Sequence, residues 1–275
     1  MEMCCIPAHR RSAFEKTLAE HKDAVAFVMS EMRIAWKSED YLPVHMPEDL
    51  QEPVRSYVIS CAYCLLADES REAFLQKGYS EDIWRVTVQD LNWHAHDGAD
   101  GSYWVDTLNW FVNILKGGVI QLGRLQYEKI PCPEDVPGLG IKQGEIVANM
   151  HIPACGPMDY DQCVASIKLA NEYLPKRFGE FRAFFCESWL LNPYYKKYLP
   201  PTSNIVRFQS LGTVFPYNMS NDRDALNRVF RNYHEDPFTS TPRSKLQKAV
   251  QKMILSGETL AGGIMIIMRD DVPNL

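Results

Sequence analysis

The hydrophobic period of the chain changes at Gly117-Gly118, and no single regular element can continue across that change. Before it, apolar residues recur at helical spacing. Phe14, Leu18, Val25, Val28 and Met32 form one stripe behind a Ser12/Glu15 capping box. Leu50, Val54, Tyr57, Val58, Cys61 and Leu65 form a second stripe after Pro47, which is expected to end near Ala67-Asp68. Further helices are expected after Ser80 and after Ser102, the last carrying Trp104, Leu108, Phe111, Val112 and Leu115. Residues 1–117 therefore read as an all-helical domain and residues 118–275 as a second domain of α/β (α+β) type, a division that suits 275 residues.

Beyond Gly118 the period becomes two. Val119–Glu128 reads as one strand, with Arg124, Gln126 and Glu128 on one face, which suits either the floor of a polar pocket or the exposed side of a half-solvated sheet. A Pro/Gly-rich connection leads to Glu145–Ile152, where Asn149 and His151 share the face opposite Ile146, Ala148, Met150 and Ile152. Pro153 ends that strand. A helix capped by Asp159, with Gln162 three residues on, follows, and then a nearly continuous apolar strand, Phe181–Leu191. A short helix at 193–199 is stopped by Pro200-Pro201. The segment Asn204–Tyr217 reads as a strand kinked at Gly212, and Arg207 and Gln209 share one of its faces. Two helices, Asp222–Asn232 and one capped by Thr241 with Gly257 past its end, precede a last strand at Leu260–Met268.

Charge excludes one class of function. The balance is −6, with 11 Lys+Arg against 19 Asp+Glu up to residue 116 and 18 against 16 after it. No basic stripe suits a nucleic acid, and the second half is the more hospitable to a phosphate-bearing ligand. No apolar run is long enough to cross a bilayer or act as a leader, so a cytoplasmic location with reduced thiols is expected for the eight cysteines. Cys61-Ala-Tyr-Cys64 lies in a helical stripe with no second CxxC. In His94-Ala-His96 the two imidazoles would point to different sides of a helix, so no metal site is expected.

The strand, Gly/Pro turn, capped helix and strand across 145–191 is the arrangement best suited to an anion, because a helix N-terminus offers free N–H groups and partial positive charge. It carries neither GxGxxG nor GxxxxGK[ST], and a ligand-free βαβ-like unit has the same pattern. At its strand end, His151 suits a general base or a satisfied structural imidazole. Glu187, a carboxylate in an apolar run, suits a functional group or the partner of an ion pair. Tyr194 and Tyr195 could donate a proton or simply pack, as could Tyr198. Cys155 or Cys186 with His151 would allow thiol chemistry, a third class of reading.

Leu122–Glu128, His151–Asp159, Phe185–Pro193 and Leu199–Gln209 resemble a bacterial family of acyltransferases, with an N-acyltransferase N-terminal domain followed by a GNAT-like C-terminal domain. The resemblance covers nearly the whole chain, and its most specific blocks are His-Ile-Pro and Ser-Trp-Leu-Leu. It implies two parallel strands that splay apart, with acyl-CoA as cosubstrate in the gap and an amine of a small molecule or peptide as acceptor. His151 or Glu187 would then be the base and Tyr194 or Tyr195 the acid. Ile152, Pro153, Ala154, Cys155, Gly156, Pro157, Met158, Asp159, Ser188 and Trp189 would line the cofactor, and Arg124, Gln126, Glu128, Asn149 and Arg207 the acceptor side. The alternative is a GNAT-like module that binds CoA or a metabolite without catalysis. The GNAT pyrophosphate signature Q/R-x-x-G-x-G/A is replaced by Ala154-Cys155-Gly156-Pro157-Met158, and Pro157 has no N–H to offer.

Overall fold

The computed structural model describes residues 6–97, 103–105, 108–136, 138–216, 222–230 and 236–275. The expected features at Met1–Cys5, Ser102, Tyr217 and Asn232 lie outside them. Two compact units are present: residues 1–121 with 153–155, and residues 122–152 with 156–275.

The first unit is helical around a small β ladder. Helices α1 (Ala8–Glu20) and α2 (Lys22–Lys37) bury Phe14, Val25, Val28 and Met32. The first helix starts at Ala8, after Pro7, rather than at Ser12, which sits exposed inside it. The central helix α3 (Val54–Gln76) runs well past Asp68 and buries both Cys61 and Cys64. Its length follows from a sequence with no Gly or Pro before Gly78. Ser80 caps α4 (Glu81–Thr87) through the Ile83 N–H. A short α5 (Leu91–His94) and α6 (Leu108–Leu115) flank a two-stranded antiparallel ladder, β1 (Ala95–Asp97) with β2 (Tyr103–Val105). The all-helical expectation is corrected at this ladder, which is tied to α3 by the Val105 N–H donating to the buried Ser56 Oγ at 2.9 Å.

A six-stranded mixed sheet follows, its first strand ending at the boundary between the units and its other five lying in the second. Its strands are β3 (Val119–Leu122), β4 (Leu125–Pro131), β5 (Ile146–His151), β6 (Ala183–Ser188), β7 (Thr213–Pro216) and β8 (Gly263–Met268), in the order β3-β4-β5-β6-β8-β7. β4–β5, β6–β8 and β7–β8 are antiparallel, and β5–β6 is parallel. The parallel crossover is made by α7 (Tyr160–Tyr173) and a short α8 (Pro175–Phe178). The remaining helices are α9 (Tyr195–Tyr198), α10 (Asn204–Phe208), α11 (Asp222–Val229) and α12 (Lys245–Leu255). No helix among the described residues is long and apolar enough to cross a membrane.

The single strand expected over Val119–Glu128 is broken. Gly123 adopts φ +66°, so the chain turns at Gly123-Arg124 and Arg124 no longer shares a strand face with Gln126 and Glu128. The turn is fastened to α7 by one hydroxyl. Ser166 Oγ donates to the Leu122 carbonyl, accepts from the Leu125 N–H at 3.2 Å and lies 2.9 Å from the Tyr127 hydroxyl. The strand expected from Asn204 is a helix at its start. Ser203 caps α10 by accepting from the Val206 N–H, and extended chain begins only at Thr213. Gly212 lies where a Cβ would come 2.4 Å from the Ile266 carbonyl, so the chain passes too close to β8 for any side chain. Ser244 rather than Thr241 caps α12.

Candidate active site at the parted strands

Register decides which side chains of the sheet meet. Glu128 lies opposite Asn149 and Gln126 opposite His151, while Asn149 is level with Phe185 on the parallel neighbour. Alternation then puts Gln126, Glu128, Asn149, His151, Phe185 and Glu187 on one face. The lower part of that face is apolar, with Val147, Ala183, Phe185, Ile264 and Ile266 in one cluster. Its polar residues gather where β5 and β6 end.

β5 and β6 share a paired register only at Ala148↔Phe184 and Asn149↔Phe185, yet β5 continues to His151 and β6 to Ser188. The two parallel strands separate after those positions. His151 is the last residue of β5, and its imidazole Nε2 lies 3.1 Å from Glu128 Oε2 and 3.1 Å from Asn149 Nδ2. One nitrogen cannot serve both partners at once. With its proton on Nε2 the imidazole donates to the Glu128 carboxylate; with its lone pair there it accepts from Asn149. The carboxylate contact is the stronger, because one partner is ionised. Both side chains are half-buried, 28% exposed for His151 and 22% for Glu128, which shields the pair from full solvent screening yet leaves it reachable.

Gln126 is buried beside this pair in the ladder. Glu187 is exposed, which corrects the expectation of a buried carboxylate: β6 leaves the apolar interior two residues after Phe185. Ser188 ends the strand by capping a turn of 3-10 helix at Trp189–Leu191, its Oγ accepting from the Leu190 N–H at 3.2 Å.

The loop that follows β5 leads to the N-terminus of α7. Asp159 caps this helix, accepting from the Gln162 N–H at 2.9 Å, as its spacing predicts. Ile152 and Cys155 are half-buried; Ala154, Gly156 and Pro157 are exposed; Pro153 and Met158 are buried. Gly156 has φ +137°, a conformation that other residues rarely adopt. Arg124, assigned by sequence to the acceptor side, reaches this loop instead, its Nε donating to the Pro157 carbonyl at 3.0 Å and its Nη2 to the Gly156 carbonyl at 2.9 Å. Arg207 is also relocated. From α10 its guanidinium covers the Tyr160 ring at 4.0 Å and lies 3.6 Å from Asp161 Oδ1. Gln209 points inward, its amide donating to the Leu190 and Asn192 carbonyls at 2.8 and 3.0 Å.

Two candidate reactive groups are sealed. Tyr195 is fully buried among Leu199, Ala225, Phe230 and Val250, and burial raises its hydroxyl above the ordinary tyrosine range. That cluster holds it away from proton exchange with solvent, whereas Tyr194 is half-exposed with the Lys197 ammonium 4.3 Å from its ring. Cys186 faces the core, and burial pushes its thiol up to about 12, the opposite of the activation that a nucleophile needs. The Glu128–His151 pair is the feature that sequence reading missed. Each residue is a candidate in the sequence, but only the antiparallel register of β4 and β5 brings them together.

A mixed sheet whose parallel pair opens beside a capped helix, with polar side chains at the opening, is a GNAT-like fold. Residues 119–265 match the GNAT-like C-terminal domain family, and the chain belongs to that family. No curated protein matches the chain. Among solved structures, it is similar to an acyltransferase in complex with decanoyl-CoA, at 23% identity and TM-score 0.69, over 95% of this chain and 80% of the other. An acyltransferase mutant in complex with octanoyl-CoA matches over the same shares at 20% identity and TM-score 0.69. An acyltransferase with CoA and 10C-teicoplanin matches at 19% identity and TM-score 0.68, again over 95% and 80%.

Proposed function

We propose that the chain is an acyltransferase that takes an acyl group from acyl-CoA and passes it to an amine of a small molecule or peptide. The observation that carries this reading is the Glu128–His151 pair at the point where β5 and β6 part. Where β5 and β6 part, their backbone would face the amides of a pantetheine arm, and the Gly156–Asp159 turn with the first N–H groups of α7 would receive the pyrophosphate. The complexes of the similar acyltransferases with decanoyl-CoA, octanoyl-CoA and CoA support the same ligand class.

The acceptor amine attacks the thioester carbonyl and forms the new C–N bond, and the His151 imidazole takes the proton that the nitrogen sheds. Nε2–H held on Glu128 fixes the tautomer and stabilises the imidazolium that results. Collapse of the tetrahedral species breaks the C–S bond, and the thiolate receives a proton from Tyr194 or water. Glu187, exposed on the same face, is suited to holding the acceptor ammonium before it loses its proton. Tyr195 and Cys186 take no part, for the reasons of burial given above. A cytoplasmic site of action fits this reading, because acyl-CoA is an intracellular donor.

Isothermal calorimetry with acetyl-CoA and longer acyl-CoAs tests the reading directly, with micromolar binding expected for at least one chain length. Thioester loss should then require an amine, and teicoplanin, present in complexes of the similar acyltransferases, is one acceptor to try. Failure of every acyl-CoA to bind at millimolar concentration would sink the proposal. Transfer that survives His151→Ala unchanged would leave only a binding module.

A further inference from the structure

We infer that Arg124 is a positioning residue for the phosphate-receiving loop, its guanidinium holding two loop carbonyls so that they do not face the phosphate. The inference rests on the acyl-CoA reading above. A loop that receives phosphate must turn N–H groups toward it and carbonyl oxygens away. The loop here starts at a disadvantage. Pro157 has no N–H, and Asp159 and Asp161 place two carboxylates around the first turn of α7.

Arg124 offsets this by geometry and by charge. Its Nε and Nη2 hold the carbonyls of Pro157 and Gly156, two successive peptide planes, at 3.0 and 2.9 Å. A trans peptide carries its N–H on the edge opposite its C=O. Holding the Pro157 carbonyl therefore aims the Met158 N–H away from Arg124, and neither negative carbonyl end is left to face an incoming anion. The side chain is only 7% exposed, so its positive charge acts on the loop through little water. The Pro157 carbonyl also accepts from the Asp159 N–H at 2.9 Å, closing a tight turn that leads straight into the cap of α7.

The backbone of Arg124 is itself held in place. Gly123 turns the chain at φ +66°, and Ser166 fastens residues 122 and 125 on either side of that turn to α7. Turn, loop and helix thus form one closed circuit, Arg124 to Gly156-Pro157 to α7 to Ser166 and back. A lysine could supply the charge but not the two-pronged grip.

The test compares CoA with pantetheine, which keeps the arm and thiol but has no phosphate, by calorimetry on the full chain. Arg124→Gln is expected to weaken CoA at least tenfold and pantetheine less than twofold, with Arg124→Lys between wild type and Arg124→Gln for CoA. Equal weakening of both ligands, or of neither, overturns the inference. Should Arg124→Gln fail to fold, Arg124→Lys carries the test, together with hydrogen exchange at the Asp159 amide. At least fivefold faster exchange there in the ligand-free protein supports the inference; unchanged exchange with unchanged CoA affinity overturns it. Absence of CoA binding to the wild type would defeat the proposed function alone, and the Asp159 amide would still decide whether Arg124 sets the loop.

Discussion

Among the described residues, one histidine–carboxylate pair in each unit can be set against the other: they are of nearly the same length and have different fates. In the helical unit His94 Nδ1 lies 2.9 Å from Asp90 Oδ2, one helical turn away. In the sheet unit His151 Nε2 lies 3.1 Å from Glu128 Oε2, across two strands. Distance does not separate them; depth and backing do. Asp90 is fully buried, also accepts from the Trp110 indole N–H at 2.7 Å, and its histidine packs edge-on against the buried Phe111. A carboxylate so enclosed is part of the core's hydrogen bonding, and its partner is fixed by packing. Glu128 and His151 are both partly open, at a strand end where the neighbouring strand departs. The first pair has the traits of structure and the second those of chemistry.

The largest effect is expected at His151. His151→Ala is expected to lower the amine-dependent rate about 100- to 10,000-fold, the usual contribution of a general base. The melting temperature should stay within about 2 °C, because a partly exposed residue at a strand end is removed. A large fall in melting temperature with modest loss of rate would reverse the assignment of the two pairs.

Asp90→Ala should show the opposite pattern. It removes the carboxylate that accepts from the Trp110 N–H and leaves His94 Nδ1 only the more distant Asp90 backbone carbonyl at 3.3 Å, at about 2–4 kcal/mol for two half-buried groups whose hydrogen bonding is weakened. For a chain of this size that is a fall of roughly 5–15 °C. Acyl-CoA affinity measured well below the transition should be unchanged.

Glu128→Gln removes charge while keeping shape. The amide oxygen can still accept from Nε2–H, so His151 stays oriented but the imidazolium loses its counter-charge. A fall in kcat of about 10- to 100-fold is expected, with the KM for acyl-CoA within a factor of about three. An unchanged kcat would mean that Glu128 only orients acceptor or packing.

The two pairs also show how much of the site could be read in sequence. His151 was legible as a candidate because Pro153 marks a strand end and alternation gives its face. Asp159 was legible because a cap needs only its own helix. Glu128 was legible as a polar strand residue but not as the partner of His151, since the 23-residue separation is bridged only by antiparallel register. Arg124 and Arg207 were misplaced for one reason. Each lies beside a local signal, the positive φ of Gly123 or the Ser203 cap, that overrides a period-two reading within a few residues. Tyr195 and Cys186 failed on burial, a property of the assembled core. The division into a helical and a mixed-sheet region needed only the change of period. The small β ladder at Ala95–Asp97 was missed because three-residue strands carry too few residues for any period.

The smallest expected effect concerns the anion end of the site. Asp161 is 84% exposed and lies 3.6 Å from Arg207, so its ion pair contributes little to stability, while its charge sits in the first turn of α7 where a phosphate would approach. Asp161→Asn removes that charge and releases Arg207, which stays stacked on Tyr160. CoA affinity should rise about two- to fivefold, the range of a single exposed charge near a helix end, and the gain should shrink as salt is raised from 50 to 500 mM. The same substitution should leave pantetheine affinity and His151-dependent chemistry as they were, because neither involves phosphate. A loss of CoA affinity on Asp161→Asn would mean that the carboxylate is needed to aim Arg207, and the anion end of the site would then depend on an exposed ion pair as the chemical end depends on a half-buried one.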